Sequence, residues 1–224
     1  MRDTIKTEEY FQEKIKSNAA RIEKFETTLS NTEPANERGI RLGKAHLSKL
    51  YLDCAKAAYS AGADLSEMYA YYIQAINYYK DVCVPVDSLY NVVDFLSIGV
   101  LFQKSKTEFL PALEIMVEKF NSQDGLICFL LQYLQDKPLE MRQSKLSYFN
   151  QLAEGDDKIA VLSSELSHWY QHHKSASWYN SHNSKNNTYC GYWCFEIAAL
   201  SKILEIDDKE FTRNPYYPYD LAHY

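Results

Sequence analysis

Glycine and proline are scarce in this chain: 7 and 6 among 224 residues. A sandwich or barrel needs many tight turns, so this scarcity argues against both and favours long helices. Cysteine is odd in number, with five scattered copies, and an odd set does not read as a disulfide framework. A reducing compartment is the simpler assumption. No run of about 18 apolar residues occurs, so no membrane-spanning helix is expected. The opening stretch MRDTIKTEEYFQEK is charged from its second residue and has no apolar core, so no secretory signal is expected. A basic excess is also missing. Net charge is −6, and each half, 1–125 and 126–224, contributes −3. Direct DNA or RNA binding is therefore disfavoured, while a basic protein partner would be attracted. With so few glycines, no phosphate-cradling loop can be assembled from a standard motif, and no G-x-S-x-G or kinase signature occurs.

Apolar residues are plentiful, at 46 %, and tyrosine is abundant, at 19 copies. A sizeable core follows, with amphipathic rings available for core edges and interfaces. Apolar positions recur at three- and four-residue steps nearly throughout, which predicts an all-α fold. The steps group into about nine helices, joined by short connections and packed antiparallel, with no strand. The first begins near Thr4 and carries Phe11, Ile15, Ile22, Phe25 and Leu29. The second, with Leu47, Leu50, Cys54 and Ala57, stops at Gly62. A third follows Asp64, and a fourth follows Asp87, which is expected to cap it. A fifth holds Phe109, Leu113, Met116 and Phe120, and Asp124 caps a sixth. Pro138 is expected to start another, ending at Gly155. Asp156 or Asp157 caps the next, with Leu162, Leu166 and Trp169. A polar loop spans about 174–188, a last helix begins at Trp193, and the tail is expected to be irregular but packed down. No repeat of fixed period is found. A division into 1–125 and 126–224 is expected, or one continuous domain.

Three constellations could carry chemistry. Glu165, His168 and His172 share one helix face, a spacing that metal sites use. A second Glu-x-x-His pair is lacking, so no metal or other cofactor is expected. Cys190, Cys194 and His182 lie close in sequence, but C-x-x-x-C is neither a redox motif nor a zinc knuckle. Glu196 lies beside the apolar stripe of its helix and needs a partner: a structural hydrogen bond, or a basic group at an interface. Acids cluster at turns, at Glu154, Asp156 and Asp157 and again at Asp207 and Asp208. There they serve as caps and solvated surface, or as a composite acidic rim.

Two segments carry a resemblance. The stretch from Tyr189, YCGYWCFEIAALSKILEIDDKEFTRNPYYPYDLAHY, resembles the C-terminal signature of the PoNi immunity proteins, and RDTIKTEEYFQEKIKSNAARIEKFE resembles their N-terminal helical region. The ordered features are Tyr-Trp-x-Phe-Glu, an alanine-rich helix, Ile-Asp-Asp and Pro-Tyr-Tyr-Pro-x-Asp. Cys194 departs from the small polar residue expected there. The resemblance implies a cytoplasmic immunity protein, not an enzyme. It implies a partner, one DNase toxin domain of the PoNe polymorphic nuclease effectors, which are delivered between bacteria by type VI and other secretion systems. A DNase presents basic residues to phosphate, so an acidic rim with aromatic anchors is the expected contact surface. The candidates are Glu154, Asp156, Asp157, Trp178, Glu196, Asp207, Asp208, Tyr216 and Tyr217, with Tyr179 as a further ring. Two other classes remain open on the residues alone. One is a helical adaptor that binds peptides; the other is a metal-dependent hydrolase using His168 and His172.

Overall fold

The computed structural model describes residues 1–155 and 157–224. Helix accounts for 67 % of the chain, and nine helices of seven or more residues occur among the described residues, with no strand. Two compact units form. Unit 1 comprises 1–83 with 180–191, and unit 2 comprises 84–179 with 192–224.

Unit 1 is built on three long helices, α1 (Glu8–Ser30), α2 (Glu37–Ala61) and α3 (Leu65–Val82). Helix α1 starts later than its periodicity suggests. The Asp3 carboxylate accepts the backbone N–H of Ile5 and Lys6, at 2.7 and 2.9 Å, and holds that stretch in a turn. Thr7 then caps the helix by accepting from the Tyr10 N–H. Helix α2 packs against both α1 and α3. Ile22, Leu47, Leu50 and Cys54 form its core, flanked by Phe25, Leu29, Tyr51, Tyr71 and Tyr78. It ends at Gly62, whose φ of 87° only glycine adopts without strain, and where a Cβ would meet the Met1 nitrogen at 2.6 Å. The segment 180–191 is pinned to these helices. Ser60 donates to the Cys190 carbonyl at 2.9 Å, Lys14 to the Asn187 carbonyl at 3.0 Å, and the Tyr189 hydroxyl to Asp3.

Unit 2 is built from shorter helices: α4 (Leu89–Leu101), α5 (Leu110–Phe120), α6 (Gly125–Leu134), α7 (Ser147–Glu154), α8 (Lys158–His172), α9 (Phe195–Ile203) and α10 (Tyr219–Ala222). Helix α4 is buried from Phe95 through Leu101, and α9 from Phe195 through Ser201. Apolar on nearly all sides, they pack against one another as the centre of the unit. Three expectations are corrected here. The cap of α4 is Ser88, while Asp87 accepts from the Val84 N–H instead. Helix α9 begins at Phe195, two residues after Trp193. No helix starts at Pro138: residues 137–146 are irregular up to the start of α7. The reason is lateral hydrogen bonding. Gly125 N–H donates to the Gln143 carbonyl at 2.9 Å, Lys145 N–H to Asp124 at 2.7 Å, and Ser144 N–H to Asn150 at 2.7 Å. A backbone already satisfied sideways has nothing to gain from coiling.

Candidate functional site

Helix α8 carries the centre of the ring-rich region of unit 2. Asp157 caps it, accepting from Ile159 and Ala160 N–H at 3.0 and 3.2 Å. Its apolar stripe buries Leu162, Leu166 and Trp169. The Trp169 indole N–H donates to Glu196 of α9 at 2.5 Å. Glu196 is 5 % exposed, and its carboxyl is raised above the usual carboxylate range, first by burial. The nearby His173 imidazole opposes that rise. His173 is itself buried, with Nδ1 on the Trp169 carbonyl at 2.7 Å and its ring 4.5 Å from that of Tyr90.

Rings cover this buried pair. Trp178 stacks on Trp169, with centroids 5.2 Å apart and planes 17° from parallel, and it also stacks on His173 at 5.4 Å. Tyr216 lies 5.5 Å from Trp169. Tyr170 stacks near-parallel with both Tyr179, at 4.6 Å, and Tyr216, at 5.6 Å. Tyr192 is buried and contacts Tyr170, Trp178 and Tyr216. Tyr170, Trp178, Tyr179 and Tyr216 are half-buried, so four rings share one surface patch.

The tail fixes Tyr216 in that patch. Asn214 donates from Nδ2 to the Leu166 carbonyl at 3.0 Å and accepts the Tyr216 N–H at 2.9 Å. The Tyr216 carbonyl accepts the Cys194 N–H at 2.8 Å. This is what the Asn-Pro-Tyr-Tyr-Pro run does: it returns to α8 through Asn214 and to the start of α9 through the Tyr216 carbonyl.

The sequence-derived candidates divide accordingly. Trp178 and Tyr216 converge on Trp169, whose other edge holds Glu196. Glu154, on the last turn of α7, and Asp157 are exposed. Asp207 is exposed, and its carboxyl is held below the ordinary range chiefly by hydrogen bonds from the Lys209 side chain and backbone. Asp156 lies outside the described residues. Glu196, Asp208 and Tyr217 are buried, at 5, 5 and 4 % exposure, and offer a partner almost no surface. Of the two readings of Glu196, the hydrogen bond is the one the structure contains. Asp208 accepts from the Tyr217 hydroxyl and pairs with His223 Nε2 at 3.0 Å, which anchors the tail. Burial, then the bond to Asp208, pushes the Tyr217 hydroxyl well above its usual range. Reading the sequence missed Trp169 and Tyr170 as members of the patch. Trp169 falls on the apolar stripe and reads as plain core, while Tyr170 lies off the stripe. The available signal was that two adjacent rings on α8 point to adjacent faces of the helix.

The other constellations are also placed. Glu165 and His172 pair at 3.0 Å, His168 Nδ1 sits on the Ser164 carbonyl at 2.9 Å, and the two imidazoles stack at 5.7 Å. Among the described residues, no group of three His, Cys, Asp or Glu side chains could hold a metal ion. Burial pushes the Cys190 thiol to about 12 and the Cys194 thiol well above its ordinary value, opposite to what a nucleophilic thiolate needs. No helix among the described residues is long and apolar enough to cross a membrane.

These features define an all-α protein whose second unit presents a fixed, ring-lined patch. Comparison with known proteins is more specific. Residues 2–113 match the family model described as PoNe immunity protein (PoNi), N-terminal, and residues 122–221 match PoNe immunity proteins (PoNi), C-terminal. The chain therefore belongs to the family of PoNe immunity proteins. Among solved structures, the protein PA2201 from Pseudomonas aeruginosa shares the fold. The TM-score is 0.67 at 16 % identity, over 94 % of this chain and 86 % of that one. No curated protein matches the sequence.

Proposed function

We propose that this chain is an immunity protein that binds the DNase domain of a PoNe-type toxin and blocks its access to DNA, with no turnover of its own. The observation that carries the reading is membership of the PoNe immunity family, matched over both the N-terminal and the C-terminal segments. The expected setting is the cytoplasm of the bacterium that makes the toxin, since DNA is the target to be protected there. Delivery of the toxin by a type VI system belongs to the same proposal.

Physical chemistry supplies a mechanism. A nuclease groove must be basic to hold phosphate. A partner of net charge −6 meets that groove with complementary potential. The exposed carboxylates Glu154, Asp157 and Asp207 are candidates for the charged rim, with Asp156 added from the sequence. Half-buried Trp178 and Tyr216 are candidates for anchors. Glu196, Asp208 and Tyr217 then act from behind the surface, by holding Trp169 and the tail in place.

Co-expression in a bacterium with the PoNe nuclease encoded beside this chain tests the reading. Survival is expected with the protein, and death without it. Equal killing in both cases would remove the immunity assignment. The purified pair should associate more slowly as salt rises, because exposed charges are screened beyond roughly 8–10 Å at physiological ionic strength. Salt-independent association would leave immunity standing and remove the electrostatic mechanism.

A further inference from the structure

The patch of unit 2 has a chemistry of its own. Its faces are π-systems: Tyr170 sits near-parallel between contacts to Tyr179 and Tyr216, and Trp178 lies against Trp169. Its tips are polar. The Trp178 indole N–H and the hydroxyls of Tyr179 and Tyr216 make no hydrogen bond to any described residue. The two carboxyl groups on the helices that carry it are buried and already engaged, Glu196 by the Trp169 N–H and Glu165 by His172, so the polar groups left to a partner are those ring tips. Electron-rich rings and free hydroxyl acceptors suit a cation. A flat cation suits stacked rings better than a round one, because a guanidinium can stack on a ring while its N–H groups point outward to acceptors.

We infer that this patch is the socket for an arginine side chain of the nuclease toxin, the guanidinium lying against the rings and donating to the hydroxyls of Tyr179 and Tyr216. The identity of the partner rests on the immunity reading above; the chemistry of the socket does not. Charge complementarity selects the occupant. The chain is acidic, and a DNase carries its arginines and lysines on the surface that must be covered. Hot spots of interfaces are enriched in tryptophan, tyrosine and arginine, and those on one side tend to meet those on the other. The rigidity of the patch adds to this, since Asn214 and the Cys194 N–H hold Tyr216 before any partner arrives.

Two experiments on the full chain test the inference. The first measures binding of the nuclease domain, inactivated at its own catalytic site, to wild type and to Trp178→Ala and Tyr179→Ala. Each variant is expected to bind at least about tenfold more weakly, mainly through faster dissociation, with unchanged helical content. Weakening below tenfold while wild type binds tightly would overturn the socket and leave immunity intact. Absence of binding by wild type would overturn immunity and leave the socket to the second experiment. That one uses wild type alone, so no variant has to fold. The peptide Ac-Arg-Arg-Arg-NH2 and its lysine counterpart are titrated into isotope-labelled protein while the indole N–H signals are followed. The Trp178 signal is expected to move with the arginine peptide, and several-fold less with the lysine one. Equal movement with both, or none with either, would overturn the arginine socket.

Discussion

The two units solve the same problem differently. Unit 1 stands on helices of 23, 25 and 18 residues, and unit 2 on seven helices of 4 to 15. Of the buried carboxylates among the described residues, Asp3 belongs to unit 1, while Asp124, Glu165, Glu196 and Asp208 belong to unit 2. A long helix satisfies its own backbone, and its stability comes from packing its apolar face. Short helices leave more chain ends and connections, whose N–H groups need acceptors from elsewhere. In unit 2, Asp124 supplies such acceptors directly. Asp208 holds the tail through Tyr217 and His223, and Glu196 holds the ring that supports the surface patch. Acids that look like surface charge in the sequence serve here as internal fasteners.

This contrast makes quantitative claims. The largest effect should come from the apolar side of unit 1. Leu47 is fully buried in the cluster with Ile22, Leu50 and Cys54. Leu47→Ala removes its packing and leaves a cavity between long helices that cannot collapse freely, so a loss of about 3 kcal/mol is expected in urea unfolding. Asp3→Asn should cost clearly less. It retains an acceptor oxygen for the Ile5 and Lys6 N–H groups and perturbs only the bond from Tyr189. The reverse order would break the comparison.

Next in size is a fastener of unit 2. Asp124 is 6 % exposed and accepts from Leu126 N–H, the Ser144 hydroxyl and Lys145 N–H, at 3.0, 2.8 and 2.7 Å. Asp124→Ala strips the cap of α6 and leaves buried donors without acceptors, for a loss of about 2 kcal/mol. Hydrogen exchange should accelerate at Leu126 and Lys145 before it does in α4. A loss below about 0.5 kcal/mol would mean that these bonds follow the fold rather than hold it. The surroundings are tight as well: at Gly125, a Cβ would come within 2.0 Å of the Arg142 carbonyl oxygen.

What the sequence made legible follows the same line. Periodicity located the long helices of unit 1, and caps such as Gly62, Asp124 and Asp157 marked true ends, because those signals are local. Pro138 misled, since its signal for a helix start was outweighed by lateral bonds to Asp124, Gly125 and Asn150, which lie up to about twenty residues away in the chain. The same reason limits the reading of the site. Trp178 and Tyr216 are rings beside turns and invite attention wherever they lie. That Glu196, Asp208 and Tyr217 are covered depends on where residues 214–223 fold back, and no helix period contains that information. Trp169 and Tyr170 stand side by side in the sequence, but that this ring pair backs a surface patch shows only once the tail is placed.

The smallest effect expected is one of sign. Glu196 is raised above the usual carboxylate range by burial first; His173 opposes that rise and Asp94 adds to it. A carboxyl raised in the folded state favours folding while it is protonated, and that contribution is lost as pH climbs through its folded range. Wild type should therefore forfeit some stability as pH climbs above about 4.5, the ordinary value for this group. Glu196→Gln removes the titration but keeps an oxygen for the Trp169 indole N–H. The difference in Tm, variant minus wild type, should rise from pH 5 to pH 8, with the variant gaining at the higher pH. A difference that does not change with pH would show that Glu196 acts only as a hydrogen-bond acceptor. A difference that falls would show that its ionised form, supported by His173 and Trp169, is the one the fold prefers. In either case the contrast between units would be redrawn, because Glu196 would then fasten unit 2 without any cost for its burial.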